Sequence, residues 1–233
     1  MRLNVVIAEA ALELVPGEIR RSPAVWKDAE KRGLEPTRIL LDRSFHHSAM
    51  ARLKEDFKRG RPDLVHSTLL SMTCSPLYIE GRLRVFVHTR GDLTLEIAEK
   101  TRLPKNYLRF RGLMEKVLVA SDEGGLIVKR QGTIKDLLRG IAPDWVCGLS
   151  TQGATMSLEG LAAKLTSKGN PCAIIGGFPH GHFSPTTLKE LDELVRIDAR
   201  PLDAHVVASR LVYEVEKLAR EGEASKRGDE RSQ

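Results

Sequence analysis

Aromatic residues are scarce in this sequence of 233 residues, at 5% of the chain. Proteins that bind single-stranded nucleic acid in a groove take much of their affinity from bases that stack on aromatic side chains. With so few aromatic residues, we do not expect stacking to dominate ligand binding here. The three cysteines, Cys74, Cys147 and Cys172, lie far apart. Without a CxxC pair the sequence indicates neither a zinc ribbon nor a disulfide framework, and the cytoplasm is the expected compartment.

Long apolar runs are also missing. No stretch reaches the roughly 18 apolar residues of a membrane-spanning helix. The first residues lack the basic segment and apolar run of a secretory signal, so we expect no membrane partner. Hydrophobic residues make up 41% and charged residues 29% of the chain, which is typical of a globular domain with a buried core.

Positive charge is in excess, with 37 lysines and arginines against 31 acids. Residues 52–61 carry five basic residues and two acids, and residues 100–116 carry six basic residues and one acid. Such clusters favour a polyanionic partner, and a solvated helix face is the alternative interpretation. Segment 222–233 is balanced in charge and lacks apolar spacing, so it is predicted to be a disordered tail after a single domain over 1–221.

Short apolar runs alternate with amphipathic segments along the chain. Strands are predicted at 3–8, 39–41, 83–88, 93–97, 126–129, 145–149, 172–176 and 195–197, with a hairpin turn at Gly91-Asp92. Helices are predicted at 44–58, 62–75, 104–118, 133–139, 157–165, 188–194 and 204–218, and a further helix starts at Ser22-Pro23. This alternation predicts an α/β fold with a mostly parallel sheet flanked by helices.

A dense polar group occupies Asp42, Ser44, His46 and His47. Neighbouring residues of a helix point about 100° apart, so the two histidines cannot face one metal ion, and we predict no metal site. Structural hydrogen bonds are the favoured role of the group, with Ser44 capping the helix that follows.

Asp63 follows Arg61-Pro62 in the first turn of a predicted helix. One interpretation is an acid that complements the helix dipole. The other is a carboxylate beside an arginine, able to contact a base edge or accept a proton. The sequence pattern leaves both open.

The helix predicted after Pro104 combines a buried face with a row of cations. Its apolar residues recur at helical spacing from Phe110 to Leu118, and Lys105, Arg109 and Lys116 lie on one line beside them. Packing of the apolar face would hold these cations at the edge of a fixed helix.

Three loops follow predicted strands of the C-terminal half. They are the glycine-rich turn at 176–181 and the segments at 149–153 and 198–203. Ligands of parallel α/β folds bind at the carboxyl ends of strands, and glycines let backbone amides approach a ligand closely. The loops therefore form a candidate site for one small ligand, with a tight strand-to-helix connection as the alternative. The turn lacks the GxGxxG pattern, which disfavours a dinucleotide.

Several motifs together resemble one known family. They are LDRSFHHSAM at 41–50, GRPDLVH at 60–66, SPL at 75–77, VFVHT at 85–89, RLPKNYLRFRGLM at 102–114 and GGFPHG at 176–181. The sequence closely resembles the small-subunit rRNA pseudouridine-N1 methyltransferases, also called the nucleolar essential protein family of the SPOUT superfamily, in their archaeal type. The resemblance extends over residues 3–218.

The resemblance implies a SPOUT-type domain with a deep C-terminal trefoil knot, a homodimer, and S-adenosyl-L-methionine as the cofactor. Knots are rare, so the strand pattern does not predict this one. The implied cofactor-binding residues lie in the knot loops, which are the three loops described above. They are Ser150, Thr151, Gly176, Gly177, Gly181, His182, Phe183, Ile197, Asp198, Ala199, Arg200, Pro201 and Leu202.

The resemblance also implies RNA-binding elements within 42–116. The residues concerned are Arg61, Asp63, Arg102, Lys105 and Arg109. Lys105 stands where the family usually has arginine, which keeps the charge but loses the bidentate geometry toward phosphate. The family often has glutamine near Glu115, and this difference is expected to be peripheral.

The implied reaction is methylation of N1 of a pseudouridine in small-subunit ribosomal RNA, during ribosome biogenesis. Asp63 is the candidate group to accept or orient the N1 proton, and other ribosome-assembly factors are candidate partners. Two alternatives stay open. One is a non-catalytic RNA-binding assembly factor, for which the basic segments serve equally well. The other is an α/β enzyme with a different nucleotide cofactor.

Overall fold

The computed structural model describes residues 1–120 and 125–230, with side chains through residue 221. The strands are β1 (Leu3–Ala10), β2 (Leu83–Thr89), β3 (Leu93–Ile97), β4 (Ile127–Gln131), β5 (Trp145–Thr155), β6 (Pro171–Gly176) and β7 (Glu193–Arg196). These seven strands form one sheet in the order β4-β3-β2-β1-β6-β5-β7.

The helices cover both faces of the sheet. They are α1 (Pro23–Arg32), α2 (Arg43–Met50), α3 (Pro62–Thr73), α4 (Pro76–Ile79), α5 (Tyr107–Val119), α6 (Ile134–Ile141), α7 (Leu158–Thr166), α8 (Pro185–Leu188) and α9 (Ala204–Glu230). Short 3-10 turns lie at Pro36–Arg38 and Asp56–Lys58. No helix in the described ranges is long and apolar enough to cross a membrane.

Strand pairing confirms the predicted α/β fold with a mostly parallel sheet. The pairs β1–β2, β1–β6, β5–β6 and β5–β7 are parallel. Only β2–β3 and β3–β4 are antiparallel among the described strands, and β2 and β3 form the predicted hairpin around Gly91-Asp92. The trefoil knot stays a prediction.

Two central strands separate two apolar clusters. Leu3, Val5 and Ile7 of β1 face a large cluster that contains side chains of α3, α5, α7 and α9. Val6 and Ala8 face the other side, where α6 and Phe183 complete a second cluster. Burial on both faces explains why β1 and β6 are continuous apolar runs rather than alternating ones. A third cluster joins α1 and α2 to the chain around residues 15–19 and 39–41.

Several predicted boundaries are wrong, and local side chains explain why. The predicted strand at 39–41 makes only an isolated bridge, between Leu40 and Leu14. The helix predicted to reach residue 58 ends at Met50, before Glu55 adopts a left-handed φ of 52°. Its cap is Asp42, which accepts a hydrogen bond from Ser44 N at 2.9 Å, so Ser44 is not the capping residue.

Other boundaries shift for the same kind of reason. The α5 helix begins at Tyr107 rather than at 104, because the Asn106 side chain accepts from Arg109 N at 3.2 Å. The helix predicted at 188–194 lies instead at α8, which Ser184 caps at Thr187 N. Leu194 and Val195 belong to β7, which pairs with β5.

The last helix is longer than predicted. The spacing of apolar residues predicts a helix that ends at residue 218, whereas α9 continues to Glu230. Most of the segment predicted as a disordered tail is thus helical backbone, and 231–233 lie outside the described residues. Extending an existing helix costs little compared with nucleating one, so apolar spacing is not required there.

Candidate cofactor and RNA site

A cavity of about 490 Å³ opens where β5, β6 and β7 present their carboxyl-end segments. This volume lies in the range of small-molecule sites, about 300–1,000 Å³. The glycine-rich turn after β6 and the segment after β7 form much of the wall. The prediction that the three C-terminal loops meet around one space is confirmed, because β5 lies between β6 and β7 in the sheet.

The first of these loops is an interruption of β5 rather than the end of it. The pairing of β5 with β7 shifts register between Leu149 and Ala154, so the strand bulges at Ser150 and Thr151 and then resumes. Gly153 permits this, because a Cβ at that position would lie 2.5 Å from the backbone of Leu194. The bulge places Ser150 and Thr151 at the cavity.

Twelve of the thirteen cofactor residues implied by the resemblance line the cavity. They are Ser150, Thr151, Gly176, Gly181, His182, Phe183, Ile197, Asp198, Ala199, Arg200, Pro201 and Leu202. The exception is Gly177, which is buried against β1: a Cβ there would lie 2.6 Å from Ile7 Cγ2 and 2.7 Å from Ala10 Cα. The absence of a side chain at Gly177 therefore serves packing between β6 and β1.

Sequence reasoning missed part of the lining. The remaining wall residues are Leu64, Leu149, Ile175, Phe178, Pro179, His180, Asp203, Ala204 and Val207. Leu149, Phe178, Pro179, His180 and Asp203 lie within the predicted loops but outside the implied set, and Ile175, Ala204 and Val207 lie next to those loops. Leu64 is different, because it brings the first turn of α3 to the cavity. No spacing signal connects residue 64 with residues 149–207, so only the tertiary fold reveals this contact.

The glycine-rich turn keeps its shape through glycine conformation and packing. Gly181 has a φ of +95°, and a Cβ there would lie 3.1 Å from Phe57 Cε2 and 3.2 Å from Lys58 Cε. Phe178 and Phe183 pack edge to face, with ring centroids 5.8 Å apart. The turn thus offers backbone groups and apolar rings to the cavity, a surface that suits the flat, partly polar rings of a nucleoside.

The segment after β7 is shaped by Asp198. Its carboxylate accepts from Arg200 N at 2.9 Å and from the Arg200 guanidinium at 3.1 and 3.2 Å. These hydrogen bonds lower the pKa of Asp198 to about 2, so a full negative charge lies at the rim of the cavity. A carboxylate in this state accepts hydrogen bonds from hydroxyl groups.

Arg61 and Asp63 form a bidentate pair beside the cavity. Arg61 Nε and Nη2 each donate to an Asp63 oxygen at 2.8 Å. Both side chains are partly exposed, and the neighbouring Leu64 lines the cavity. Burial alone would raise the pKa of Asp63, but the hydrogen bonds from Arg61 outweigh it and lower the pKa. Asp63 is therefore ionised and a weak base.

The other RNA-facing candidates lie on the surface. Arg102, Lys105 and Arg109 are all exposed. Arg102 and Lys105 also border a second cavity of about 570 Å³, together with Thr73, Cys74, Tyr78, Ile79, Lys100, Thr101 and Leu103. The predicted row of cations is exposed, but only Arg109 and Lys116 lie on α5, because Lys105 precedes the capping residue Asn106.

Arg111 and Glu115, within the same basic segment, are buried instead. Arg111 lies 3.9 Å from Asp28, with its guanidinium 4.9 Å from the centre of the Phe45 ring. Glu115 accepts hydrogen bonds from the Arg32 guanidinium and, at 3.0 Å, from Leu40 N. The expectation that position 115 is peripheral is wrong, because Glu115 joins α5 to α1.

The polar group around Asp42 is structural in its contacts. His46 is buried, and its Nδ1 accepts from Asp42 N at 3.1 Å. Tyr107 donates its hydroxyl proton to Asp42 Oδ2, which ties α5 to the start of α2. The described residues contain no group of three or more side chains arranged to hold a metal ion.

Comparison with known proteins places these features in one family. A model of the EMG1/NEP1 methyltransferase family matches residues 5–216. The ribosomal RNA small subunit methyltransferase Nep1 of Pyrobaculum neutrophilum is 42% identical over 219 residues, which cover 92% of this chain and 97% of that protein. Nep1 of Thermococcus sibiricus is 38% identical, with coverage of 92% and 97%.

A solved structure agrees with the sequence comparison. The crystal structure of Archaeoglobus fulgidus Nep1 bound to S-adenosylhomocysteine superposes with a TM-score of 0.82 at 37% identity, and covers 94% of this chain and 99% of that one. The family model and both relatives extend over nearly the whole fold. They include the cavity and the basic surface, which is formed by the exposed side chains of Arg102, Lys105, Arg109 and Lys116. The chain therefore belongs to the EMG1/NEP1 methyltransferase family.

Proposed function

We propose that the protein is an S-adenosyl-L-methionine-dependent methyltransferase that acts on small-subunit ribosomal RNA. One observation carries the proposal: the cavity formed by the three C-terminal loops is also lined by Leu64, which directly follows the Arg61–Asp63 pair. A small-molecule cavity and a charged group suited to RNA thus adjoin each other. The relatives named as ribosomal RNA small subunit methyltransferases support the same activity.

The cofactor residues are the twelve implied residues that line the cavity. When bound, S-adenosyl-L-methionine supplies a methyl group already activated on a sulfonium, and a related structure holds S-adenosylhomocysteine. The apolar wall from Phe183, Ile197 and Leu202 suits an adenine ring, and the Asp198 carboxylate suits hydroxyl groups. The chain contributes binding and orientation, which supply much of the rate when the reacting group is already activated.

The substrate atom is N1 of a pseudouridine. Pseudouridine has a free N1–H, whereas in uridine N1 holds the sugar, so only pseudouridine can be methylated there. The target base leaves its stack in a loop of RNA, where extrusion costs least. Methyl transfer would form the N1–CH₃ bond and break the S–CH₃ bond, which leaves S-adenosylhomocysteine, and the N1 proton would pass to water.

Arg61, Arg102, Lys105 and Arg109 hold the RNA backbone. Their side chains are partly or fully exposed, and exposed cations bind phosphates with a strong dependence on salt. Lys105 offers a point charge in place of the guanidinium fork that is common in the family. Arg61 also balances negative charge that develops on the target ring.

Asp63 orients Arg61 and the N1–H rather than removing the proton. Its pKa is lowered by the hydrogen bonds from Arg61, so it is a weak proton acceptor at neutral pH. Replacing Asp63 by Asn should therefore weaken RNA binding and misplace Arg61. If Asp63→Asn removed activity while RNA affinity stayed unchanged, Asp63 would be the proton acceptor.

The working unit is a homodimer in the cytoplasm, with a trefoil knot around the cofactor loops. Exposed apolar side chains support an interface: Ile79 on α4 and Tyr213 on α9 are 63% and 62% exposed. Other ribosome-assembly factors are further partners. Light scattering of the purified protein tests the dimer, because a single monomer mass would contradict it.

Calorimetric titration with S-adenosylhomocysteine tests the cofactor site. Ala199→Trp places a large ring at an exposed position of the cavity wall and should abolish measurable binding. Ala163→Trp is the matched control, because Ala163 is exposed on α7 and does not line the cavity. Equal affinities for both variants would contradict the site.

The non-catalytic assembly factor is the second candidate function. The exposed cations of α5 and of the segment before it, Arg102 and Lys105, support this function equally. They would bind RNA whether or not a methyl group is transferred. It predicts that Ala199→Trp still supports assembly of the small subunit, while Arg109→Met does not.

A further inference from the structure

A buried ion pair, Glu9 with Lys58, lies against residues 178–187, here called the cofactor loop. Lys58 Nζ lies 2.9 Å from Glu9 Oε2, and each residue is 7% exposed. Glu9 belongs to β1, and Lys58 ends the 3-10 turn that precedes the Arg61–Asp63 pair. Neither residue lines the cavity, so the cofactor site described above does not account for them.

Both charged groups bind the loop that connects β6 to α8. Glu9 Oε1 accepts from Ser184 N at 2.7 Å and from Thr187 Oγ1 at 2.8 Å. Lys58 Nζ donates to the carbonyl oxygen of His182 and lies 4.5 Å from the centre of the Phe178 ring. The pair therefore contacts Phe178 and His182 within the cavity-lining stretch 178–183, and Ser184 and Thr187 just after it.

The backbone of β1 is bent to bring Glu9 to this position. The pairing of β1 with β2 shifts register between Ile7 and Ala10, so the strand contains a bulge. Within the bulge Glu9 has a φ of 51°, a left-handed conformation. Such a conformation is strained at a residue other than glycine, and it persists where surrounding contacts fix it. Bulges beside functional sites often redirect one side chain.

Stability alone is a weak explanation for such a pair. Two buried charges lose hydration, and replacing a buried ion pair by apolar residues is often neutral or stabilising. Burial would raise the pKa of Glu9, but the hydrogen bonds from Lys58, Ser184 and Thr187 outweigh it and lower the pKa. The carboxylate stays charged because it is bound to the loop as well as to Lys58.

We propose that Glu9 and Lys58 are positioning residues that hold the loop at 178–187 in the conformation that binds the cofactor. The inference rests on the proposed function of the cavity and adds residues from outside it. Because Lys58 lies three positions before Arg61, the pair also joins the cofactor loop to the segment that carries the RNA-facing arginine. Neither residue touches the cavity, so both act through the loop.

The chain contains a matched control for this pair. Arg59, the next residue, forms a bidentate ion pair with Glu13 at 2.8 and 2.6 Å. The Arg59 and Lys58 side chains are equally exposed, at 9%. Arg59 also donates to Lys54 O at 3.4 Å, in its own surface turn. Removal of Arg59 thus breaks a comparable pair without touching the cofactor loop.

The experiment compares Lys58→Met with Arg59→Met in the full chain. S-adenosylhomocysteine affinity is measured by calorimetry, thermal stability by scanning calorimetry, and amide hydrogen exchange between residues 180 and 188 without ligand. Lys58→Met should weaken binding about tenfold or more, as expected when the competent loop is populated about a tenth of the time. It should also speed exchange in the loop, whereas Arg59→Met should change neither.

Two further variants separate positioning from the cost of an unpaired charge. Lys58→Arg retains a cation and a donor and should recover most of the affinity. The double variant Glu9→Gln/Lys58→Met contains no unpaired charge, so its melting temperature should rise above that of Lys58→Met while its affinity stays low. Should Lys58→Met fail to fold, the double variant and Glu9→Gln decide the question.

Two results would overturn the proposal. One is equal loss of affinity in Lys58→Met and Arg59→Met, which would reduce the pair to a general contribution to stability. The other is unchanged loop exchange in Lys58→Met. If the wild-type protein did not bind S-adenosylhomocysteine, the proposed function would fail, while the exchange comparison would still decide whether the pair holds the loop.

Discussion

The cavity proposed to bind the cofactor and the basic surface of α5 use different parts of the chain. The cavity is formed by loops of β5, β6 and β7, with glycines, apolar side chains and the Phe178 and Phe183 rings in its wall. The basic surface consists of long side chains on a helix and its approach, and neighbouring positions there have opposite environments. Arg109 is exposed, whereas Arg111, two residues later, is buried near Asp28 and Phe45. Strand order thus determines the first site, and local packing determines the second.

Replacing the two arginines of α5 by Met should give the largest contrast. Arg111→Met removes a buried cation beside the half-buried Asp28 and its contact with Phe45, so the free energy of unfolding should fall by about 1–3 kcal/mol. Arg109→Met should leave stability unchanged and weaken RNA binding. It should also reduce the slope of log affinity against log salt by about 0.7–0.9. Denaturant unfolding and RNA binding at several salt concentrations measure both effects.

If Arg109→Met and Arg111→Met lost the same RNA affinity and neither lost stability, the division of α5 into exposed and buried cations would be contradicted. Lys116→Met is the control, because Lys116 is exposed on α5 and lies outside the implied RNA-binding set.

Adjacent glycines of the cofactor turn should give the next largest contrast. Gly177→Ala forces a Cβ to within 2.7 Å of Ala10 Cα, and the backbone of β1 has little room to move. We expect the free energy of unfolding to fall by about 1–3 kcal/mol. Gly176→Ala meets only the Phe178 ring, at 2.9 Å, and Phe178 lines the cavity. This variant should keep its stability and bind S-adenosylhomocysteine more weakly.

Thermal unfolding and calorimetric titration of both variants separate these outcomes. A stable Gly177→Ala protein with weakened cofactor binding would return Gly177 to the cofactor site, as the resemblance implied.

The smallest effect concerns pH. His46 and His66 are buried in the region that supports the basic surface, whereas His180 and His182 of the cofactor turn are exposed. Burial lowers the pKa of His46 and His66 below the ordinary value of 6.5, despite the opposing effects of Asp28 and of Pro104 O. As the pH falls, these two histidines are therefore protonated in the unfolded chain at a higher pH than in the folded protein. Stability should be fully present above pH 6.5 and decrease as pH falls, by at most about 1.4 kcal/mol per pH unit for each histidine.

The variant His66→Gln tests this assignment, because an amide can donate to Pro104 O as His66 Nε2 does at 2.7 Å. Its unfolding free energy should depend less steeply on pH between 5 and 6.5 than that of the wild-type protein. If the two proteins showed the same pH dependence, His66 would be excluded as a cause of the loss of stability at low pH.

The sequence was sufficient for the cofactor cavity because a parallel sheet brings strand ends together. Glycine, apolar and loop patterns identified the loops at 149–153, 176–181 and 198–203, and every residue but Gly177 of the set implied by the family resemblance lines the cavity. Gly177 is the exception because it packs closely against β1, and sequence spacing cannot distinguish a glycine required for packing from one required for ligand approach. Leu64 was missed because its approach to the cavity depends on how α3 packs against α9.

The N-terminal half was harder to predict because polar side chains determine its boundaries. The helices capped by Asp42 and Asn106 start one and three residues away from the expected positions. Glu115 was expected to be peripheral, yet it binds Arg32, 83 positions earlier in the chain. A charge count along the sequence does not reveal such partners, since the buried and exposed members of one basic segment carry the same charge.

The most direct test of the central claim is a methylation assay with two short ribosomal RNA hairpins. They differ only in carrying pseudouridine or uridine at one loop position, and S-adenosyl-L-methionine supplies a labelled methyl group. Digestion and mass spectrometry then locate the label. We predict a methyl group on N1 of the pseudouridine and none on the uridine hairpin. No label on either RNA, from protein that binds S-adenosylhomocysteine, would contradict the proposed reaction and favour the assembly factor.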